Sequence, residues 1–170
     1  KTVVLNPYNH YPNYQNVSIL HAKSNDYIKH EDLKIDFLGP VEKLTGDNNA
    51  SLVFKITFQD KTILFTGDIE EDAEDILIET YKDGLKADIL KVQHHGSITS
   101  SSIEFIKYVD PDIAIISVGR DNRFNFPSEE VIKRYQQYNV PIYRTDQHGT
   151  IIYRLKDGKE KWSFFLPFPS

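Results

Sequence analysis

The sequence predicts an α/β layered fold built on a mixed sheet. Short β-branched runs alternate with helix-period segments from Ser51 onward, turn residues stand at the junctions, and the apolar runs, such as Ile113-Ala114-Ile115-Ile116, have strand length. At the amino end, Thr2 to Leu5 and Val17 to Leu20 read as short strands, while the Asn, Pro and Tyr residues crowded between Asn6 and Asn16 favour turns. Leu33, Ile35 and Phe37 alternate with polar residues and stop at Gly39-Pro40, as a half-buried strand does. Ser51 to Phe58 and Thr62 to Phe65 form a hairpin around Gln59-Asp60.

A helix is expected from Ile69 to Tyr81. Ile69, Ala73, Ile76, Leu77 and Tyr81 recur at helical spacing, acids load the first turn, and Gly84 lies beyond the end. Asp88 to Val92 is then a strand, Ser101 to Glu104 has the pattern of a capping box, and Ile103 to Val109 is a helix. Asp112 to Val118 is the next strand. Pro127-Ser128-Glu129-Glu130 opens a helix through Tyr138, followed by a strand from Val140 to Arg144 and a β-rich end from Thr150 to Leu166. From Ser51 the order is β-β-α-β-α-β-α-β-β-β. No long linker, repeat or low-complexity tract interrupts it, so residues 1–170 are expected to form a single domain.

Composition narrows the chemistry. With 39% apolar residues among 170 the chain can bury a sizeable core, and no stretch approaches the roughly 20 apolar residues of a membrane-spanning helix. The opening residues lack the charged-then-apolar pattern of a secretory leader. Absence of cysteine excludes disulfides and thiolate metal sites, which leaves imidazole and carboxylate as metal ligands. Lys and Arg total 20 against 25 for Asp and Glu, a net charge of −5, which argues against a broad basic surface for nucleic acid. A local phosphate site stays open, because a bound dication reverses the local charge logic.

Four expected strands end in loops with unusual polar residues: Asp68 after Phe65, His94-His95 after Val92, Asn122 after Val118, and Asp146 after Tyr143. Ligand sites of α/β sheets gather at the carboxyl ends of strands. In Thr66-Gly67-Asp68 the glycine permits a tight turn that leaves the carboxylate pointing off the strand end. Asp68 can therefore ligate a metal, cap the following helix, or do both. Adjacent histidines on an extended backbone point in opposite directions, so one of His94 and His95 is expected to face a metal while the other orients substrate or packs. Ser97 and the amides from Thr99 to Ser102 lie where a helix start can cradle an anion. Chance loop histidines are the competing account.

His10, His21, His30 and His148 have no ligand-like spacing and read as surface or packing residues. The many Tyr and Phe read as core and sheet packing, since no aromatic–basic alternation marks a nucleic-acid platform. Glu70, Glu71, Asp72, Glu74 and Asp75 read as a solvated helix start favoured by the macrodipole.

Five ordered blocks carry a resemblance. Asp47-Asn48-Asn49-Ala50-Ser51-Leu52-Val53, Leu64-Phe65-Thr66-Gly67-Asp68, the segment from Ala87 to Ser97, Ile115-Ile116-Ser117-Val118-Gly119, and Arg144-Thr145-Asp146 with Gly149 resemble the metallo-β-lactamase-like domain of ComEC-type competence proteins and related hydrolases. The match runs from about Leu33 to Ile152. It implies layered mixed sheets with flanking helices, and one or two metal ions, zinc or manganese, that activate a hydroxide against a phosphodiester or other ester. By this resemblance Asp68 is a bridging metal ligand and His95, or else His94, the late histidine ligand. His94 and Ser97 then belong to the catalytic set, and Ser97, Asn122 and Asp146 line the substrate side. DNA or another phosphodiester is the implied substrate, and a bacterial membrane-associated or extracytoplasmic setting is implied for a ComEC-type protein.

The sequence departs from that pattern twice. The superfamily's His-x-His-x-Asp-His motif is absent, so the resemblance implies a fold lacking its N-terminal part. Phe126 stands before Pro127, where related domains tend to carry a histidine. A truncated chain, a non-catalytic binding or structural module, or a second chain that completes the site each account for this; retention of Asp68 and the His-His-Gly-Ser block favours truncation. Uncovered apolar sheet surface then makes a homodimer the expected state. Metal binding by this chain alone is expected to be weak.

Overall fold

A seven-stranded mixed sheet, flanked on one face by helices, organises the chain in the computed structural model, which describes residues 1–8, 11 and 14–166. His10 lies outside the described residues. In chain order the elements are β1 (Thr2–Leu5), β2 (Ser18–His21), β3 (Tyr27–His30), β4 (Leu33–Gly39), β5 (Val53–Phe58), β6 (Lys61–Phe65), α1 (Glu71–Tyr81), β7 (Ile89–Lys91), α2 (Ile103–Val109), β8 (Ile113–Ile116), α3 (Glu129–Gln137), β9 (Ile142–Arg144), α4 (Thr145–His148), β10 (Thr150–Lys156) and β11 (Lys159–Phe165). The large sheet runs β3-β4-β5-β6-β7-β8-β9, while β1 pairs β2 in parallel and β10 pairs β11 as a separate hairpin.

Strands β3 to β6 form an antiparallel meander in which tight turns at residues 31–32 and 59–60 join β3 to β4 and β5 to β6, and a longer link, residues 40–52, joins β4 to β5. Beyond β6 each connection carries a helix, and β6, β7, β8 and β9 are parallel. Their carboxyl ends consequently share one edge of the sheet, and four loops leave from it.

The two sheet faces differ. Leu64, Leu90 and Ala114 stand in register and are fully buried, packed with Leu77 and Ile78 of α1, Phe105, Ile106 and Val109 of α2, and Val131 and Tyr135 of α3. Burying such aliphatic side chains stabilises the fold by about 1.5–3 kcal/mol each. On the other face Phe54 stacks on its cross-strand partner Phe65, and the β10–β11 hairpin packs on Tyr143 through Trp162 and Phe164. The expected α/β fold with a mixed sheet is the observed one.

Several local expectations need correction. Helix α1 starts at Glu71, two residues later than the periodicity of Ile69 suggested, because Ile69 is drawn into the core and the Glu70 amide donates to Asn49 Oδ1. The N-cap is Glu70, whose side chain makes no cap bond, and Asp68 does not cap this helix. Strand β3 was not expected: all four of its residues are exposed, so it shows no inward alternation and is held by pairing to β4. The single turn of α4 is too short to leave a period. Helix α2 is capped by Ser102, which accepts from the Phe105 amide, one residue later than the Ser101–Glu104 box pattern places the cap. Among the described residues no helix is long and apolar enough to cross a membrane.

Candidate functional site

The Thr66-Gly67-Asp68 turn leaves the end of β6 under several restraints. Gly67 adopts φ +58°, a left-handed conformation, and a Cβ there would sit 2.6 Å from the Ser51 Cβ, so both angle and space select glycine. The Asp68 amide donates to Ser51 Oγ at 3.1 Å, Thr66 Oγ1 donates to the Lys91 carbonyl at 2.7 Å, and the His94 amide donates to the Gly67 carbonyl at 3.1 Å. These bonds lock the loop after β6 to the loop after β7. Asp68 keeps a half-exposed carboxylate above them.

His94 and His95 do not lie on extended backbone, as adjacent side chains pointing opposite ways would require. They form the centre of a tight turn, Gln93–Gly96, with left-handed φ of 45° and 54°. Such angles are uncommon in residues other than glycine and are held here by neighbouring contacts. The Ser97 amide closes the turn on the His94 carbonyl at 2.9 Å, and Gly96, at φ +82°, passes so close to Pro127 that a Cβ would meet it at 2.6 Å. Each imidazole consequently meets a carboxylate from the loop after β6.

His95 Nε2 lies 3.6 Å from Asp68 Oδ1. Its Nδ1 is 2.6 Å from the Ser117 carbonyl, an oxygen that can only accept, so Nδ1 carries a proton. With Nδ1 donating to Ser117, Nε2 turns a lone pair toward Asp68, and a metal ion or a bridging water can stand between the two acceptors. A backbone carbonyl on the far nitrogen is the orientation common in metal-binding histidines. The pair supplies two donors, whereas a catalytic zinc centre takes three from protein. Among the described residues no group of three or more His, Asp or Glu side chains converges on one position, so these residues alone do not complete a metal site.

His94 belongs to a second cluster. Its Nδ1 lies 3.4 Å from Glu70 Oε1, which also accepts from Thr99 Oγ1 at 2.9 Å. Ser97 is buried, with its hydroxyl 3.0 Å from that of Thr99, behind the histidine turn. Asn122 stands in the wall of an open cleft of ≈ 430 Å³ beside His95, with its amide bridging its own loop: Nδ2 donates to the Gly119 and Phe126 carbonyls and Oδ1 accepts from the Phe126 amide. Asp146 is turned to Arg144, which grips both carboxylate oxygens at 3.0 and 2.6 Å. Thr145 takes the cleft position, its hydroxyl bonded to the amide and carbonyl of Val118. The structure thus joins Asp68 to His95, sets Asn122 beside them, and directs Asp146 to its own cation.

Sequence reasoning missed three groups around this centre. Glu70 and Thr99 lie far apart in sequence, and no local pattern links them. Lys91, mostly buried, donates to the Val92 carbonyl at 2.8 Å; burial pulls its pKa below the ordinary lysine value, and the nearby Asp68 charge partly restores it. Glu74 was grouped with a solvated helix start, yet it is fully buried and accepts from Gln93 Nε2 and from the Ser101 and Ser102 amides at 2.6 and 2.9 Å. Burial pushes its carboxyl pKa up, and those hydrogen bonds oppose the shift.

A sequence model for the metallo-β-lactamase superfamily matches residues 8–120, which include Asp68 and the histidine turn. The chain belongs to the metallo-β-lactamase superfamily. It is 36% identical to ComE operon protein 3 of Bacillus subtilis over 91% of its own length and 20% of that protein. Competence protein ComA of Neisseria gonorrhoeae is 33% identical over 77% of the chain, and recombination protein 2 of Haemophilus influenzae 36% over 71%. The chain spans 20% or less of the length of these relatives. In fold it is similar to a Parabacteroides distasonis protein described as a metal-dependent hydrolase, with TM-score 0.52 and 16% identity over 77% of this chain and 58% of that one. The resemblance to the domain of competence proteins therefore holds.

Proposed function

We propose that this chain is the portion of a metal-dependent phosphodiesterase, associated with DNA uptake, that contributes Asp68 and His95 to a zinc or manganese centre. The observation that carries the reading is the opposed acceptor pair, Asp68 Oδ1 and His95 Nε2, at the shared edge of the parallel strands. Superfamily membership and the names of the competence relatives supply the context. The remaining ligands come from outside the described residues, from a longer polypeptide or a second chain. His94 orients the substrate beside them, held by Glu70 and Thr99, while Ser97 secures the histidine turn from behind. Asn122 shapes the substrate cleft through its loop, and Asp146 fixes Arg144 at its border.

The alternative is a non-catalytic binding module of a competence protein. Phe126 favours it: the ring lies edge-on to His94 at 5.7 Å in a position where related domains tend to offer a ligand. Hydrolysis of bis(p-nitrophenyl) phosphate and of DNA, measured with added manganese or zinc for this chain and for a longer polypeptide containing it, separates the two. The hydrolase reading expects metal-dependent turnover by the longer protein, lost in Asp68→Ala. Inactivity of the longer protein with both metals favours the binding module, whereas activity that survives Asp68→Ala removes Asp68 from the metal centre.

A further inference from the structure

We propose that the loop from Gly119 to Phe126 is a stacking shelf for a nucleobase, so that the cleft beside His95 takes a single-stranded nucleic acid with a base turned out of its stack. This deepens the phosphodiesterase reading and rests on it for the chemistry at Asp68 and His95. Phe124 and Phe126 are stacked at 5.5 Å with their planes 19° apart, and the Arg123 guanidinium lies 4.7 Å above the Phe124 ring. Phe124 is 59% exposed. A lone exposed phenylalanine needs no explanation, but this one forms a cleft wall together with Phe126, Asn122, His95, Ser117 and Thr145. The cleft, ≈ 430 Å³, falls within the size range of small-molecule sites.

The shelf is preformed. Asn122 spends its whole amide on the loop's own backbone, fixing Phe126 at both amide and carbonyl, and Phe126 in turn rests against His94. A base that enters therefore meets a loop whose backbone is already ordered, and it stacks on the exposed Arg123 guanidinium lying over Phe124 or takes that side chain's place on the ring. Aromatic faces accept any base, and an exposed arginine beside them adds a cation for the base or its phosphate. A base within a duplex cannot present its face in this way, which selects a single strand or a base already extruded. Because the same cleft is bordered by His95, a base on the shelf places its neighbouring phosphate near the Asp68–His95 pair.

The test uses three probes at low salt: a single-stranded oligonucleotide carrying 2-aminopurine, an abasic phosphodiester of equal length, and the corresponding duplex. The expected result is preference for the base-bearing single strand, with a change in 2-aminopurine fluorescence on binding. Phe124→Ala should weaken that complex by about five- to a hundredfold, bringing it to the level of the abasic chain, and Phe124→Trp should retain it. Phe124→Leu, which keeps apolar volume without the ring's π face, should behave like Phe124→Ala and guards against an effect of folding. Equal affinity for base-bearing and abasic chains, preference for duplex, unaltered binding by Phe124→Ala, or no binding to any probe overturns the shelf. Cleavage is scored separately. With a longer polypeptide containing this chain and added manganese or zinc, base discrimination without cleavage defeats the hydrolase reading and leaves the shelf standing, whereas cleavage indifferent to bases does the reverse.

Discussion

Glu74 holds together the underside of the site. Its carboxylate accepts from the side chain of Gln93, immediately before the histidine pair, and from two amides that open α2. Replacing it with alanine leaves those donors buried and unpaired, at about 1–3 kcal/mol each. Urea unfolding should therefore show Glu74→Ala destabilised by about 3 kcal/mol or more. The group also imposes a pH dependence. Burial raises its folded pKa above the ordinary value of 4.5, so between the two values the folded chain binds more protons than the unfolded one. Its contribution is fully present below about 4.5 and is lost as pH rises through the folded value. The difference in stability between the wild-type chain and Glu74→Gln, followed upward from pH 4.5, should shift steadily against the wild type; a difference flat with pH would show that Glu74 titrates as it does unfolded. None of this was legible in Glu70-Glu71-Asp72-Ala73-Glu74-Asp75, where the macrodipole and solvation explain acids in general and burial of one among them depends on what packs across it.

At the scale of elements, glycine positions make the two site loops possible. Gly96 combines φ +82° with a close approach to Pro127, so Gly96→Ala should lose about 2 kcal/mol from the left-handed angle and the crowded Cβ together. Gly84 is the comparison: its added Cβ would meet only Tyr81 at 3.6 Å, an ordinary contact, and Gly84→Ala should be near neutral by the same thermal or urea unfolding. A similar loss in both variants would remove the case for strain at the histidine turn. The same distinction explains what could be read from sequence. Strand β4 and helix α1 announce themselves by period, strands β5 to β9 by short β-branched, aromatic or apolar runs between turn residues, and α2 and α3 by the residues that open them, while the loop placement of Asp68, His95 and Asn122 follows from strand order. The left-handed pair His94-His95 could not be read, because the turn is held by the His94 amide donating to the Gly67 carbonyl and by the close approach of Gly96 to Pro127, both partners remote in sequence. Strand β3 was hidden for the opposite reason: with every residue exposed, it leaves no alternation.

Over the whole molecule, charge and exposed apolar surface set how it meets partners. Ile19 and Leu20 of β2 and Tyr27 and Ile28 of β3 are exposed, a surface that a second copy could cover, and light scattering across a concentration series should show mass rising toward a dimer if it does. Nucleic acid meets a different balance. The net charge of −5 gives no broad attraction for phosphates, so binding at the proposed shelf must rely on stacking and on the few cations beside it. Arg120 and Arg123 are exposed on that loop, whereas Arg144 is already paired with Asp146. Two phosphate contacts on a single strand release few counterions, and log K against log salt should fall with a slope of about −1.4. Titrating the 2-aminopurine oligonucleotide at several salt concentrations measures that slope directly. A slope of about −3 or steeper would mean four or more phosphates neutralised, which the two loop arginines cannot supply. In that event the strand would follow a basic track elsewhere, and Arg123→Ala would leave the slope unchanged where the shelf requires it to drop by about 0.7.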